Sequence, residues 1–92
     1  MSFQVTFTKE AIQDLDRLDR KVEKHVQDRI DELALEPYSP RLSKLLKTGK
    51  GERTSRVRDW RIIYEVLNEE QLINILAVRP RGKAYKKVLD KR

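Results

Sequence analysis

Four arginines, Arg53, Arg56, Arg58 and Arg61, fall within the stretch of residues 52–64, ERTSRVRDWRIIY, where they alternate with Val57, Ile62 and Ile63 and meet almost no acid. Farther on the chain reads Arg79-Pro80-Arg81-Gly82-Lys83-Ala84-Tyr85. A guanidinium keeps its charge at any working pH and grips phosphate oxygens with a planar fork of donors. Strand-like segments that carry several of them suit a surface that holds phosphate. A phenol beside such arginines can stack on a base or take part in proton transfer.

Phosphate binding is not yet phosphate chemistry. Cutting RNA without a metal needs a group that takes the proton of the 2′-hydroxyl. It also needs one that stabilises the extra charge on the phosphorane, and one that protonates the leaving 5′-oxygen. The single histidine, His25, sits in a helical run close to Glu23 and reads as a helix-surface residue. Arginine, lysine and tyrosine would have to carry the work. Alternatives stand beside each residue: Arg61 as an exposed strand residue pairing with Glu65, and Tyr85 as a ring packed on the sheet beside solvated arginines.

Other chemistries lack their residues. With no cysteine there is no disulfide framework and no thiolate metal site, and one histidine argues against a histidine-based metal site. No metal or cofactor is expected. Gly49-Lys50-Gly51 is too short for a phosphate-binding glycine loop, and neither a nucleophile elbow nor a paired-carboxylate site is visible. The acids of residues 10–36 fall at helix-surface spacings and read as a solvated face.

The elements that position these residues are written in charge and periodicity. The net charge of +6 is uneven: residues 1–40 hold 6 Lys/Arg against 9 Asp/Glu, a balance of −3, and residues 41–92 hold 15 against 6, a balance of +9. An acidic half joined to a basic half points to an anionic partner for the second, with nucleic acid leading and a merely solubilising face as the bland reading. At 92 residues, 39% charged and 38% hydrophobic, the chain is expected to form one domain, residues 1–92. No apolar run reaches the roughly 20 residues of a membrane helix. The opening MSFQVTF lacks a signal pattern, so a cytoplasmic protein is expected.

Phe3, Val5 and Phe7 alternate with polar residues and predict a half-buried strand. Thr8 offers a helix N-cap with Glu10 in the first turn. Ile12, Leu15, Leu18, Val22, Val26, Ile30 and Leu33 then recur in three- and four-residue steps, the inward stripe of two helices with a turn at Asp19-Arg20-Lys21. Pro37 ends the second helix and a loop runs to Pro40. Leu42, Leu45 and Leu46 suggest a short helical turn, and residues 47–51 an exposed loop. Strands follow over residues 53–58, 60–67 and 72–79, with a polar turn at residues 68–71. In the second of these, Trp60, Ile62, Tyr64 and Val66 share the face toward the helices, and Arg61, Ile63, Glu65 and Leu67 the other. Residues 83–92 read as a short basic helix. The fold class is α+β: an N-terminal strand, a two-helix hairpin, a three-stranded antiparallel sheet with the helices on one face, and a short C-terminal helix.

At this point the chain resembles the RelE/ParE superfamily of toxins, closest to its RelE-like messenger-RNA interferases. The pattern FxVxFTKEA over residues 3–11, DLxxL over residues 14–18, a proline-terminated second helix and Lys44-Leu45 are weak parts of the match. RVRDWRIIYEV over residues 56–66 is the specific part, and a final strand leading to an arginine pair and a tyrosine completes it. The resemblance implies a fold related to microbial ribonucleases and a toxin neutralised by a cognate RelB-like antitoxin that wraps around it. RelE-like members cut messenger RNA in the ribosomal A site, without metal, by 2′-hydroxyl attack. By position, Arg61 would stabilise the phosphate, Arg81 serve the leaving group and Tyr85 stack on or orient the nucleotide. Arg56 would act as base or phosphate ligand. Lys50, Arg53, Arg58, Arg79 and Lys83 are further candidates for RNA and phosphate binding. This sequence has Thr54 and Arg56 where such members carry a lysine pair. Arginine is a poor base, which leaves Tyr85, a lysine such as Lys50, or the ribosome for that role.

Two other functions fit the same residues. A ParE-like member would poison DNA gyrase by binding it. A non-catalytic protein would use its basic surface only to hold an acidic antitoxin. Toxin and antitoxin together can also bind promoter DNA in this superfamily.

Overall fold

The computed structural model describes residues 2–47 and 50–80. Its elements are β1 (Gln4–Phe7), α1 (Lys9–Asp16), α2 (Arg20–Leu35), β2 (Lys44–Leu45), β3 (Arg53–Val57), β4 (Trp60–Leu67) and β5 (Leu72–Pro80). The strands form a five-stranded sheet in the order β1-β5-β4-β3-β2. β1 lies parallel to β5, with Gln4 opposite Leu72, and every other pairing is antiparallel.

Local chemistry sets the helix starts. The Thr8 hydroxyl accepts the Ala11 N–H at 3.1 Å and donates to the Leu76 carbonyl at 2.9 Å, so one side chain caps α1 and fastens it to β5. Asp19 accepts the Val22 N–H at 2.9 Å and caps α2. The break between the helices therefore falls just ahead of Arg20 and Lys21, which already belong to α2. Glu36 closes α2 and Pro37 follows it.

The inward stripe is Ala11 and Leu15 from α1 with Val26, Ile30, Leu33 and Ala34 from α2. It packs on Val57, Ile62, Tyr64, Ile73, Ile75 and Val78, flanked by half-buried Phe3, Val5, Phe7, Trp60 and Val66. Burial of each Val, Leu or Ile here is worth roughly 1.5–3 kcal/mol. Ile12 departs from the periodic expectation and is 51% exposed. The Thr8 cap turns Ala11, Asp14 and Leu15 inward instead, and the small Ala11 lets α1 sit close to the sheet. The opposite face buries a smaller cluster of Ile63, Leu76 and Ala77 with half-buried Leu46. A bulge makes this possible: Ile63 pairs with Ala77 and Tyr64 with Ile75, so Leu76 is the extra residue.

Two expectations need correction. The leucines at 42, 45 and 46 do not form a helical turn, because Lys44 and Leu45 pair with Thr54 and Arg53 as a short edge strand. Their spacing records burial in different places: Leu42 in the helix-side core, Leu46 against the opposite face, Leu45 exposed. The sheet also has five strands rather than three, since β1 and β2 join its two edges. Whether residues 83–92 form a helix lies outside the described residues.

Candidate phosphate-binding site

β3 and β4 form a hairpin whose two-residue turn is Arg58-Asp59, closed by the Val57 to Trp60 pair. Arg58 adopts φ 55°, a left-handed conformation more usual for glycine or asparagine. Near this turn the strand register brings three arginines into one row across the sheet. Arg56 on β3 is directly opposite Arg61 on β4, and Arg61 is directly opposite Arg79 on β5. Like charges set opposite each other on neighbouring strands repel.

The fold neutralises one end of that row. Arg79 donates from Nε to Asp14 at 2.9 Å and from Nη2 to Glu10 at 3.1 Å. Asp14, only 6% exposed, also accepts the Val78 N–H at 2.9 Å. Arg79 thus clamps β5 to α1, and its charge is matched by two carboxylates.

The other end opens into a pocket of about 250 Å³. Thr54 and Arg56 of β3 and Arg61 of β4 form one wall, and Pro40, Arg41 and Lys44 the other. Four lining side chains are cationic, and none of the lining residues described is acidic. Arg56 is exposed and steadied by a 3.1 Å bond from its Nε to the Arg58 carbonyl. From behind, Arg29 of α2 donates to the Arg56 carbonyl at 2.8 Å and to the Ser55 hydroxyl at 3.0 Å. Such a pocket presents fork-shaped donors to an anion the size of a phosphate.

Arg56 and Arg61, both singled out by sequence, are therefore brought together. Arg53 is placed differently: its Nε donates to the Ser43 hydroxyl at 3.1 Å and its guanidinium lies 5.4 Å from the centre of the Tyr38 ring. Arg58 turns toward α2, where its Nη2 is 3.1 Å from His25 Nε2. Lys50 is exposed in the loop before β3 and does not line the pocket. Arg81, Lys83 and Tyr85 lie outside the described residues. Arg41 was missed by sequence reasoning; the only hint is a basic residue directly after Pro40. Lys44 was noticed only as part of a motif.

Among the described residues, acid–base groups are scarce around this pocket. Tyr64 is fully buried, donates to the Pro37 carbonyl at 2.6 Å, and its pKa is pushed above the usual 10.0 by burial. It cannot serve as a base. Arg56 and Arg61 bind charge but do not accept protons.

A model of the family described as the ParE toxin of the type II toxin–antitoxin system parDE matches residues 5–85. The toxin–antitoxin complex RelBE2 from Mycobacterium tuberculosis contains a chain 28% identical, with a TM-score of 0.78, over 88% of this chain and 100% of that one. The archaeal RelE–RelB complex from Pyrococcus horikoshii gives 27% identity and a TM-score of 0.73, over 91% and 100%. A mutant of the toxin RelE from E. coli, in the free state, shares the fold at a TM-score of 0.81 with 16% identity, over 98% and 93%. No curated protein matches significantly.

Proposed function

Since the chain belongs to the ParE toxin family of type II toxin–antitoxin systems, within the RelE/ParE superfamily, we propose that this toxin is a ribosome-dependent, metal-independent endonuclease of messenger RNA. The observation that carries the reading is the Arg56–Arg61 pair at a pocket lined by two further cations. The likeness to RelE chains in RelB–RelE complexes supports it.

In this reading the scissile phosphate sits between Arg56 and Arg61. The 2′-hydroxyl attacks phosphorus, the bond to the 5′-oxygen breaks, and a cyclic phosphate and a free 5′-hydroxyl result. Arg61 stabilises charge on the phosphorane as it builds. Arg81 serves the leaving oxygen and Tyr85 orients the nucleotide. The proton of the 2′-hydroxyl goes to Tyr85, to a lysine such as Lys50, or to a group of the ribosome. Lys50, Arg53, Arg58, Arg79 and Lys83 add positive field around the path of the RNA. The cognate antitoxin is of the RelB kind, an acidic segment that folds over the basic half, and the pair together binds promoter DNA. Action on ribosomes places the toxin in the cytoplasm.

Expression of Arg61→Ala or Arg81→Ala should abolish toxicity while antitoxin co-purification survives. Primer extension on translated messages should show cuts positioned by codon for the wild type only. The matching family model is that of ParE, which favours gyrase poisoning as the second reading. Intact messages together with a DNA-damage response would establish that reading instead.

A further inference from the structure

Between α2 and β2 the chain crosses residues 36–43 as a strap without helix or strand. Its own turns hold it in part: the Ser39 N–H donates to the Glu36 carbonyl at 3.2 Å, and the Leu42 and Ser43 N–H groups donate to the Ser39 carbonyl at 3.1 and 3.0 Å. The sheet holds it at both ends. The Tyr64 hydroxyl donates to the Pro37 carbonyl at 2.6 Å and shares a 2.8 Å bond with the Ser43 hydroxyl. A phenol has one proton to give, so Ser43 supplies the proton of the second bond while Arg53 Nε–H donates to Ser43. The Ser55 hydroxyl donates to the Leu42 carbonyl at 2.7 Å. Pro40 and Arg41 stand exposed between the anchored ends, with Lys44 just beyond, and these three form the pocket wall that faces Arg56 and Arg61.

The Tyr64 ring fills core volume, which a phenylalanine would do with no hydroxyl to desolvate. What the hydroxyl adds is polar bonding, beside the Arg53 guanidinium, that ties Pro37 and Ser43 of the strap to the sheet. We propose that the strap is the second wall of an RNA-binding groove, in which Arg41 and Lys44 hold the phosphate next to the one held by Arg56 and Arg61. Tyr64 is a positioning residue that keeps this wall in register with the sheet. The inference rests on the RNA-cleaving reading above.

The test is binding of a labelled 2′-O-methyl RNA oligonucleotide, which lacks the attacking hydroxyl, followed by fluorescence anisotropy. The proteins are the wild type, Arg61→Ala, Arg41→Ala, Tyr64→Phe and the Arg41/Tyr64 double variant. Tyr64→Phe should retain a cooperative melt and lose about three- to tenfold in affinity, with a similar loss for Arg41→Ala. The double variant should bind no more than about twofold more weakly than either single one, because both remove the same contact. A merely structural role for Tyr64 predicts losses that multiply, and that result overturns the inference. So does wild-type affinity in Tyr64→Phe or Arg41→Ala, or a wild type that binds no RNA. Should Tyr64→Phe fail to fold, Ser43→Ala breaks the same link from the strap side and takes its place in the cycle. Primer extension on ribosomes decides the proposed function separately. Codon-positioned cuts with additive binding losses would sink this inference alone.

Discussion

At the scale of single residues, the arrangement trades stability for charge density. Arg56 and Arg61 are direct cross-strand neighbours, a placement that costs roughly 0.2–1 kcal/mol compared with a neutral pair. Arg56 is exposed, and the hydrogen bond of its side chain to the Arg58 carbonyl lies at the surface. Arg56→Gln should therefore leave urea stability unchanged or raise it by up to about 0.5 kcal/mol while toxicity falls. A large loss of stability would show that Arg56 is a structural residue. Tyr64 behaves in the opposite way. Burial raises its pKa above 10.0, so near neutral pH both folded and unfolded chains keep its proton. As pH climbs past the unfolded value, the unfolded chain ionises first and the fold holds a neutral phenol, so stability falls. Urea midpoints measured from about pH 8 to about pH 11 should drop for the wild type, and the drop should be shallower in Tyr64→Phe. Equal drops would mean that other groups carry the alkaline loss.

At the scale of elements, the edge of β5 turned away from β4 is closed near its end by α1 rather than by another strand. β1 pairs only with residues 72–75 of β5, and the Asp14 carboxylate meets the Val78 N–H beyond that pairing. Asp14→Ala leaves that amide and the Arg79 guanidinium without their buried acceptor. It should cost about 2–4 kcal/mol. A thermal melt should show a fall well above that of Glu10→Ala, whose half-exposed partner position is worth about 1 kcal/mol or less. Much of this framework is legible in the sequence, because it depends on local rules. Thr8 and Asp19 cap, Pro37 stops α2, and the alternation of Trp60–Leu67 assigns Arg61 to the face away from the helices. What was not legible depends on pairing across distance. The edge strand β2 exists because Arg53 and Thr54 offer it a partner, and β1 runs parallel to β5 across most of the chain. Arg41 became visible only when the strap folded against β3 and β4, since nothing near it in sequence marks a pocket wall.

At the scale of the molecule, the acidic and basic halves take different parts. Glu10 and Asp14 of α1 pair with Arg79, and Asp28 and Glu32 of α2 pair with Lys24 and Arg29 of the same helix. The pocket cations come instead from the strap, β2, β3 and β4. Arg41, Lys44, Arg56 and Arg61 thus share one pocket. Binding of a single strand through such a pocket must release counterions, by roughly 0.7 per phosphate neutralised. If Arg41, Lys44, Arg56 and Arg61 all contact phosphate, the plot of log affinity against log salt concentration should have a slope of about −3. Removing any one of them should flatten it by about 0.7, while Asp14→Asn should leave the slope alone. The antitoxin meets the same field, so its encounter with the toxin should slow as salt rises, and stopped-flow mixing would measure that. Its dissociation should respond far less if apolar contacts hold the finished complex. An RNA slope near zero would mean that the four cations do not face phosphate, and the gyrase reading would then gain the weight that the nuclease reading lost.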